Sequence, residues 1–238
     1  MNALNFKLLL VVAALATPLA QASTEIIVNG GFETGDFTGW EVNEKGGSAL
    51  FVESGFLSPA TAYTTIGPDT GLFYALADGP FGATALGQRF TVGAVSNASL
   101  SFDMFVNSGV KGAVHATGLD QETGGSYEPN QHVRVDILSE TANAFDTGSE
   151  VLGTYYLGIN NPPGDLNYSH YQIDVTGLLA AGGNYQLRFA QVNNQDYLLQ
   201  GVDNVSLTVT PVPEPETYAL MVAGLGLVGV AVRRRKGS

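Results

Sequence analysis

The groups with which this chain could do chemistry are 22 acidic residues and three histidines, because it contains no cysteine. Thiolate nucleophiles, thiolate zinc sites and disulfides are therefore excluded together. His115, His132 and His170 are scattered, none stands in an HExxH-type zinc spacing, and no GxSxG elbow, phosphate loop or dinucleotide fingerprint occurs. Two carboxylates are enough to hydrolyse a glycosidic bond, and Asp120 and Glu122 stand two residues apart. With so many acids such a pair arises by chance, so the chain reads as non-enzymatic. Binding a sugar needs less: an aromatic ring to stack on and a few amides for hydroxyls. Tyr127, Tyr156 and Tyr168 are the carbohydrate-binding candidates, with amides at Gln191, Asn193, Asn194 and Gln195.

These side chains need a scaffold. Thirty glycines, ten prolines, 10% aromatics and only 13% charge over 238 residues describe a turn-rich β protein with a buried core, and they exclude disorder and coiled coil. Short alternating runs broken by Gly, Asn, Asp and Pro predict strands at 91–92, 100–106, 132–138, 151–158, 171–175, 185–192 and 202–209. In 185–189 the odd positions are apolar and the even ones polar, so one face is buried. His132, Arg134 and Asp136 oppose Val133, Val135 and Ile137 in the same way, and Tyr156 falls on the polar side of its strand. Only 175–181 could make a helical turn. Residues 111–131, with Gly118, Gly124, Gly125 and Pro129, form a long loop of the kind that usually has a function. No repeat of 20 to 50 residues is visible.

The two ends carry addresses. Lys7, an apolar run at 8–16 and Ala20-Gln21-Ala22 make residues 1–22 a secretory signal peptide, cut by signal peptidase before Ser23. At the other end an uncharged 15-residue apolar segment, 218–232, runs into Arg233, Arg234, Arg235 and Lys236. As a helix it spans about 22 Å against a hydrocarbon core of about 30 Å, a short and marginal transmembrane helix whose basic end stays cytoplasmic. Between the ends, residues 23–212 hold five basic side chains against twenty acidic ones, a net charge of −15. Such a surface repels a nucleic-acid backbone and favours neutral, cationic or metal-bridged partners.

Pro213-Glu214-Pro215, followed by the Gly-rich apolar segment and the Arg cluster, resembles the PEP-CTERM sorting tail of Gram-negative bacteria. The resemblance implies an exosortase as processing partner and transfer from the inner membrane to the cell surface or extracellular matrix, in the company of exopolysaccharide and biofilm. Similar tails also carry the label of an ice-binding protein C-terminal region, although the body shows no flat Thr array. An ordinary tail anchor fits the apolarity and charge but leaves Pro-Glu-Pro unexplained.

In the body, Asn29-Gly30-Gly31-Phe32-Glu33-Thr34-Gly35 with Gly39-Trp40, and Gly201-Val202-Asp203-Asn204-Val205-Ser206-Leu207 at the far end, are similar to the opening and closing strands of galactose-binding-like jelly rolls, which include many carbohydrate-binding modules. In such domains a structural Ca²⁺ often bridges acidic residues of the first and last strands, which maps to Glu33 and Asp203; the alternative is a solvated Glu33 and a turn-capping Asp203. The expected whole is an all-β protein: a signal peptide over 1–22, one antiparallel jelly-roll β-sandwich over 23–211, and a sorting tail over 212–238. Its expected function is that of an exported, non-enzymatic surface or matrix protein that binds carbohydrate. A secreted glycan-active hydrolase and a purely structural surface protein are the rivals.

Overall fold

The computed structural model describes residues 22–109, 118–120, 129–159, 167–213 and 215–235. The expected signal peptide falls outside the described residues except at Ala22. Contacts separate the body, Thr24–Val212, from the remainder of the chain.

The body is a β-sandwich of two antiparallel sheets. In chain order the strands are β1 (Thr24–Glu25), β2 (Glu41–Gly46), β3 (Ala49–Glu53), β4 (Tyr74–Asp78), β5 (Gly82–Val92), β6 (Val95–Ser108), β7 (Gln131–Ser139), β8 (Val151–Gly158), β9 (Ser169–Asp174), β10 (Gly183–Asn193) and β11 (Leu198–Pro211). One sheet runs β3-β4-β11-β6-β9, with β1 also on β11; the other runs β2-β5-β10-β7-β8. A short helix, α1 (Thr176–Leu179), follows β9 where a helical turn was expected.

The core lies between the sheets. Leu100, Phe102 and Met104 of β6 and Val202 and Leu207 of β11 meet Leu86 of β5, Val133, Val135 and Ile137 of β7 and Leu187 and Phe189 of β10, all buried. Phe189 is at the centre, edge-on to Phe102 at 5.2 Å and 6.1 Å from Trp40, which in turn lies 5.5 Å from Phe32. Each such ring contributes on the order of 2–3 kcal/mol by leaving water. Phe32 and Trp40 reach the core only because the 29–31 turn runs tight under β11. A Cβ on Gly30 would sit 1.8 Å from the Val205 carbonyl oxygen, so no other residue fits there.

Several elements depart from the sequence pattern, among them β2, β3 and β8. β2 and β3 were not foreseen, because an edge strand such as Glu41–Gly46 is mostly exposed and carries no alternating apolar signal. In β8 the register against β7 slips between Val135 and Asp136, whose partners are Tyr156 and Thr154. That bulge reverses the pleat. Thr154 therefore faces outward to Asp136, while Tyr156 turns into the core with 7% exposure, which corrects its expected place on the polar side.

Beyond the body, α2 spans Pro215–Arg235. Proline opens it, where the missing N–H costs no hydrogen bond. Among the described residues no helix is long and apolar enough to cross a membrane.

Candidate binding groove and carboxylate clamp

The outer face of the β2-β5-β10-β7-β8 sheet carries every described cation of the body. Register places Lys45, Ala83, Val192 and His132 in one row, Ala85, Ala190 and Arg134 in the next, and Gly87, Arg188 and Asp136 in a third, with Arg89 beyond. Asp136, with no exposed surface, accepts from Arg134 Nε at 2.7 Å, Arg134 Nη2 at 2.8 Å, Arg188 Nε at 3.1 Å and the Thr154 hydroxyl at 2.8 Å. Arg188 is equally buried and sends Nη1 on to the carbonyls of Ala144 at 2.9 Å and Asp146 at 2.7 Å. Burial lowers the Arg188 pKa, while Asp136 works to raise it. His132, 1% exposed, has no hydrogen-bond partner on either ring nitrogen among the described residues; burial, and then the nearby Arg134, lowers its pKa to about 4.

The ion pairs fix loop 140–150 over this face. Asn130 fixes a second segment, its amide donating to the carbonyls of Gly118 at 3.0 Å and Asp120 at 2.8 Å, and Leu119 caps Ala83, Ala85, Ala190 and Val192. Between the two segments and β2 lies an open groove of about 550 Å³. Asn43 and Lys45 form one side, Asp120 and residues 143–147 the other, and Lys45 Nζ stands 4.2 Å from the centroid of the Phe145 ring. Of these groove residues sequence reasoning singled out only Asp120; Asn43 and Asn143 are a hundred positions apart, and neither segment carries a motif.

On the other sheet, Glu33 and Asp203 stand on either side of Gly31. A Cβ there would be 3.7 Å from both Asp203 Oδ1 and Glu33 Cγ. The two carboxylates clamp the loop before β4. Leu72 and Phe73 N–H donate to Glu33 Oε1 at 2.9 and 3.0 Å, and Asp69 and Thr70 N–H donate to Asp203 Oδ2 at 2.9 and 3.1 Å. Asn204 N–H donates to Asp203 Oδ1 at 2.7 Å. Burial still pushes the Asp203 pKa up to about 6, against those hydrogen bonds. Among the described residues no cluster of three or more Asp, Glu or His could hold a metal, so any ion between this pair would draw its other ligands from backbone carbonyls or water.

The remaining candidates are dispersed. Tyr127, Glu122 and His115 lie outside the described residues. Tyr168 is half-buried, its hydroxyl donating to the Gly67 carbonyl at 3.0 Å and its ring edge-on to Phe105 at 5.1 Å. It buttresses a loop. The expected amides are also structural: Asn193 Nδ2 donates to the carbonyls of Gly79 at 3.1 Å and Pro80 at 2.8 Å, and Asn194 Oδ1 accepts from Asn130 N–H. His170 lies far from His132 across the sandwich, on Asp103 at 2.7 Å. In the tail, Pro213, Pro215 and exposed Arg233 and Arg235 are described, Arg234 lies within α2, and Glu214 lies outside the described residues.

Proline-flanked entry, apolar helix and terminal arginines are thus in place as one continuous tail. Residues 211–236 match the PEP-CTERM protein-sorting motif. The motif implies export and exosortase processing at the surface of a Gram-negative cell. No curated protein matches the chain. Among solved structures, the body is similar to TmCBM61, a carbohydrate-binding module in complex with β-1,4-galactotriose (TM-score 0.45, 11% identity, covering 77% of this chain and 97% of that one). It is also similar to the K3 cleaved adhesin domain of Lys-gingipain from Porphyromonas gingivalis (0.47, 14%, 79% and 99%). A third similar structure is the enzymatically active domain of tailspike protein 4 from bacteriophage CBA120 (0.43, 12%), of which the chain spans only 21% while 77% of the chain is covered.

Proposed function

We propose that this protein is an exported surface protein whose body binds carbohydrate without acting on it. The groove on the outer face of the five-stranded sheet carries the reading. It sets an aromatic ring, Phe145, with Lys45 Nζ over it, near neutral hydrogen-bonding groups on Asn43, Asn143 and Thr147, a mixture that can hold a sugar by its apolar face and its hydroxyls. With the body at −15, the ligand is a neutral glycan rather than a uronate or a nucleic acid. Signal peptidase removes residues 1–22, the apolar tail holds the chain at the membrane until exosortase cuts near Pro213-Glu214-Pro215, and the released body associates with exopolysaccharide in the biofilm matrix.

The groove also holds two carboxylates, Asp120 and Asp146, which is the one observation favouring a glycan hydrolase. Asp146 Oδ2 accepts the Asn143 N–H at 2.7 Å and so closes its own loop. A structural Ca²⁺ belongs to the same reading: the Glu33 and Asp203 carboxylates flank a glycine, and a cation there would relieve the burial that raises Asp203.

Retention of the body on immobilised neutral polysaccharides, among them a galactan, a xylan and the producing cell's exopolysaccharide, is the test. Phe145→Ala should weaken retention by about tenfold, a stacking contribution of about 1.4 kcal/mol, with little change between 0.1 and 1 M salt. Failure of the wild type to be retained on any of them would leave a purely structural surface role.

A further inference from the structure

We propose that Tyr63, stacked on Tyr197, is a second saccharide platform, on the opposite face of the sandwich from the groove, so that one copy bridges two polysaccharide chains. The proposal rests on the carbohydrate-binding reading and adds a site to it. Residues 56–65 form a small hairpin over the outer face of the six-stranded sheet: Ser58 N–H donates to the Tyr63 carbonyl at 2.9 Å and Thr65 N–H to the Phe56 carbonyl at 2.8 Å. The hairpin is held from beneath. Fully buried Asp78 accepts from both the backbone N–H and the hydroxyl of Thr61, at 3.0 and 2.8 Å, and Thr65 and Tyr74 share a hydrogen bond of 2.8 Å.

Tyr197 is fixed as firmly. Its carbonyl accepts from Gly109 N–H and Gln131 Nε2, each at 3.0 Å, and its ring packs against the buried cluster of Tyr74, Leu76, Phe105 and Leu199. Tyr63 lies over it with ring centroids 3.8 Å apart and planes 29° from parallel, yet Tyr63 is 42% exposed. One face of the ring is covered and the other is open. Phe56, opposite Thr65 in the hairpin, is 64% exposed. The side-chain carbonyl oxygen of buried Asn107 has no hydrogen-bond partner among the described residues.

A ring held rigid on one side and bare on the other suits a flat, partly apolar partner, because little ordering entropy remains to be lost. Nucleobases and pyranose rings both have that shape. A body at −15 repels the phosphates that come with the first, which leaves the sugar. Because groove and platform lie on the outer faces of different sheets, one glycan strand need not occupy both.

Beads coated with the retained polysaccharide test the bridging, with the body shown to be monomeric by size exclusion. Wild-type body should agglutinate them. Tyr63→Ala, at an exposed position whose melting curve is checked, should still be retained on the polysaccharide but lose agglutination by about tenfold or more, since bridging needs both sites at once. Tyr63→Phe, which keeps the stack, should restore it. Agglutination by Tyr63→Ala at the wild-type titre overturns the platform and leaves the groove standing. If the wild-type body is retained on no polysaccharide, both readings fall.

Discussion

The two outer faces of the sandwich hold loops over a sheet by opposite means. On the five-stranded sheet, one buried carboxylate, Asp136, gathers two guanidiniums, and Arg188 passes the attachment on to the carbonyls of loop 140–150. On the six-stranded sheet, Tyr74, Leu76, Phe105 and Leu199 make an apolar seat on which Tyr168 and Tyr197 rest. Ionic attachment is directional and concentrated in few atoms. Aromatic attachment is spread over many contacts. The first face should therefore fail through single substitutions and the second by degrees.

Asp136→Ala tests that contrast most sharply. It leaves two guanidiniums buried without a counter-charge, and unfolding by denaturant should show a loss of about 3–5 kcal/mol. A loss under about 1 kcal/mol would mean that the face is held by its apolar contacts after all.

The faces should also respond to acid in opposite directions. His132 has a folded pKa depressed to about 4 from 6.5, so the unfolded chain takes up a proton that the folded chain refuses, and stability falls as pH drops from about 6.5 to 4. Asp203 has a folded pKa raised to about 6 from 3.8, so the cost of burying its charge is full above pH 6 and disappears as pH falls toward 3.8. Each contribution amounts to about 3 kcal/mol at 1.36 kcal/mol per pH unit, and in the wild type they largely cancel. His132→Gln removes one arm. Its unfolding free energy should rise on going from pH 7 to pH 4, whereas a flat or falling profile would show that His132 is not the group that refuses the proton.

Calcium removal should give the smallest of the three effects and act on one face alone. An ion bound only by the folded state contributes RT ln(1 + [L]/Kd), about 2.7 kcal/mol at a hundredfold excess over Kd. EDTA should lower the melting temperature of the wild type and leave Glu33→Gln unmoved. A wild-type curve indifferent to EDTA would remove the ion and leave the carboxylates as a clamp on loop N–H groups.

How much of this was legible in the sequence follows the same division. β7 and β10 alternate cleanly because one side packs on the core, and the sequence pattern places His132, Arg134 and Asp136 on one face, as the structure does. It could not show that this face is covered, since the covering loop has no periodicity. Tyr156 was misplaced because alternation counts in twos and a bulge adds one. Glu33 and Asp203 were paired from motifs at the two ends of the chain; each lies near Gly31, and each carboxylate accepts N–H groups of the loop before β4. The groove was invisible: its sides come from β2, from 118–120 and from 143–147, which only the folded register brings together.

The position of β11 determines when the body can fold. β11 lies between β4 and β6 and also pairs with β1, Thr24 opposite Val209, so the last strand made sits in the middle of its sheet. During vectorial export, a chain emerging amino end first has the five other strands of that sheet outside with their central partner still inside, and the turn at Gly30 has no Val205 to close on. Long-range pairing of this kind cannot nucleate from a partial chain. The six-stranded sheet thus stays incomplete until the segment next to the sorting tail arrives, and the fold closes only when nearly the whole chain has emerged.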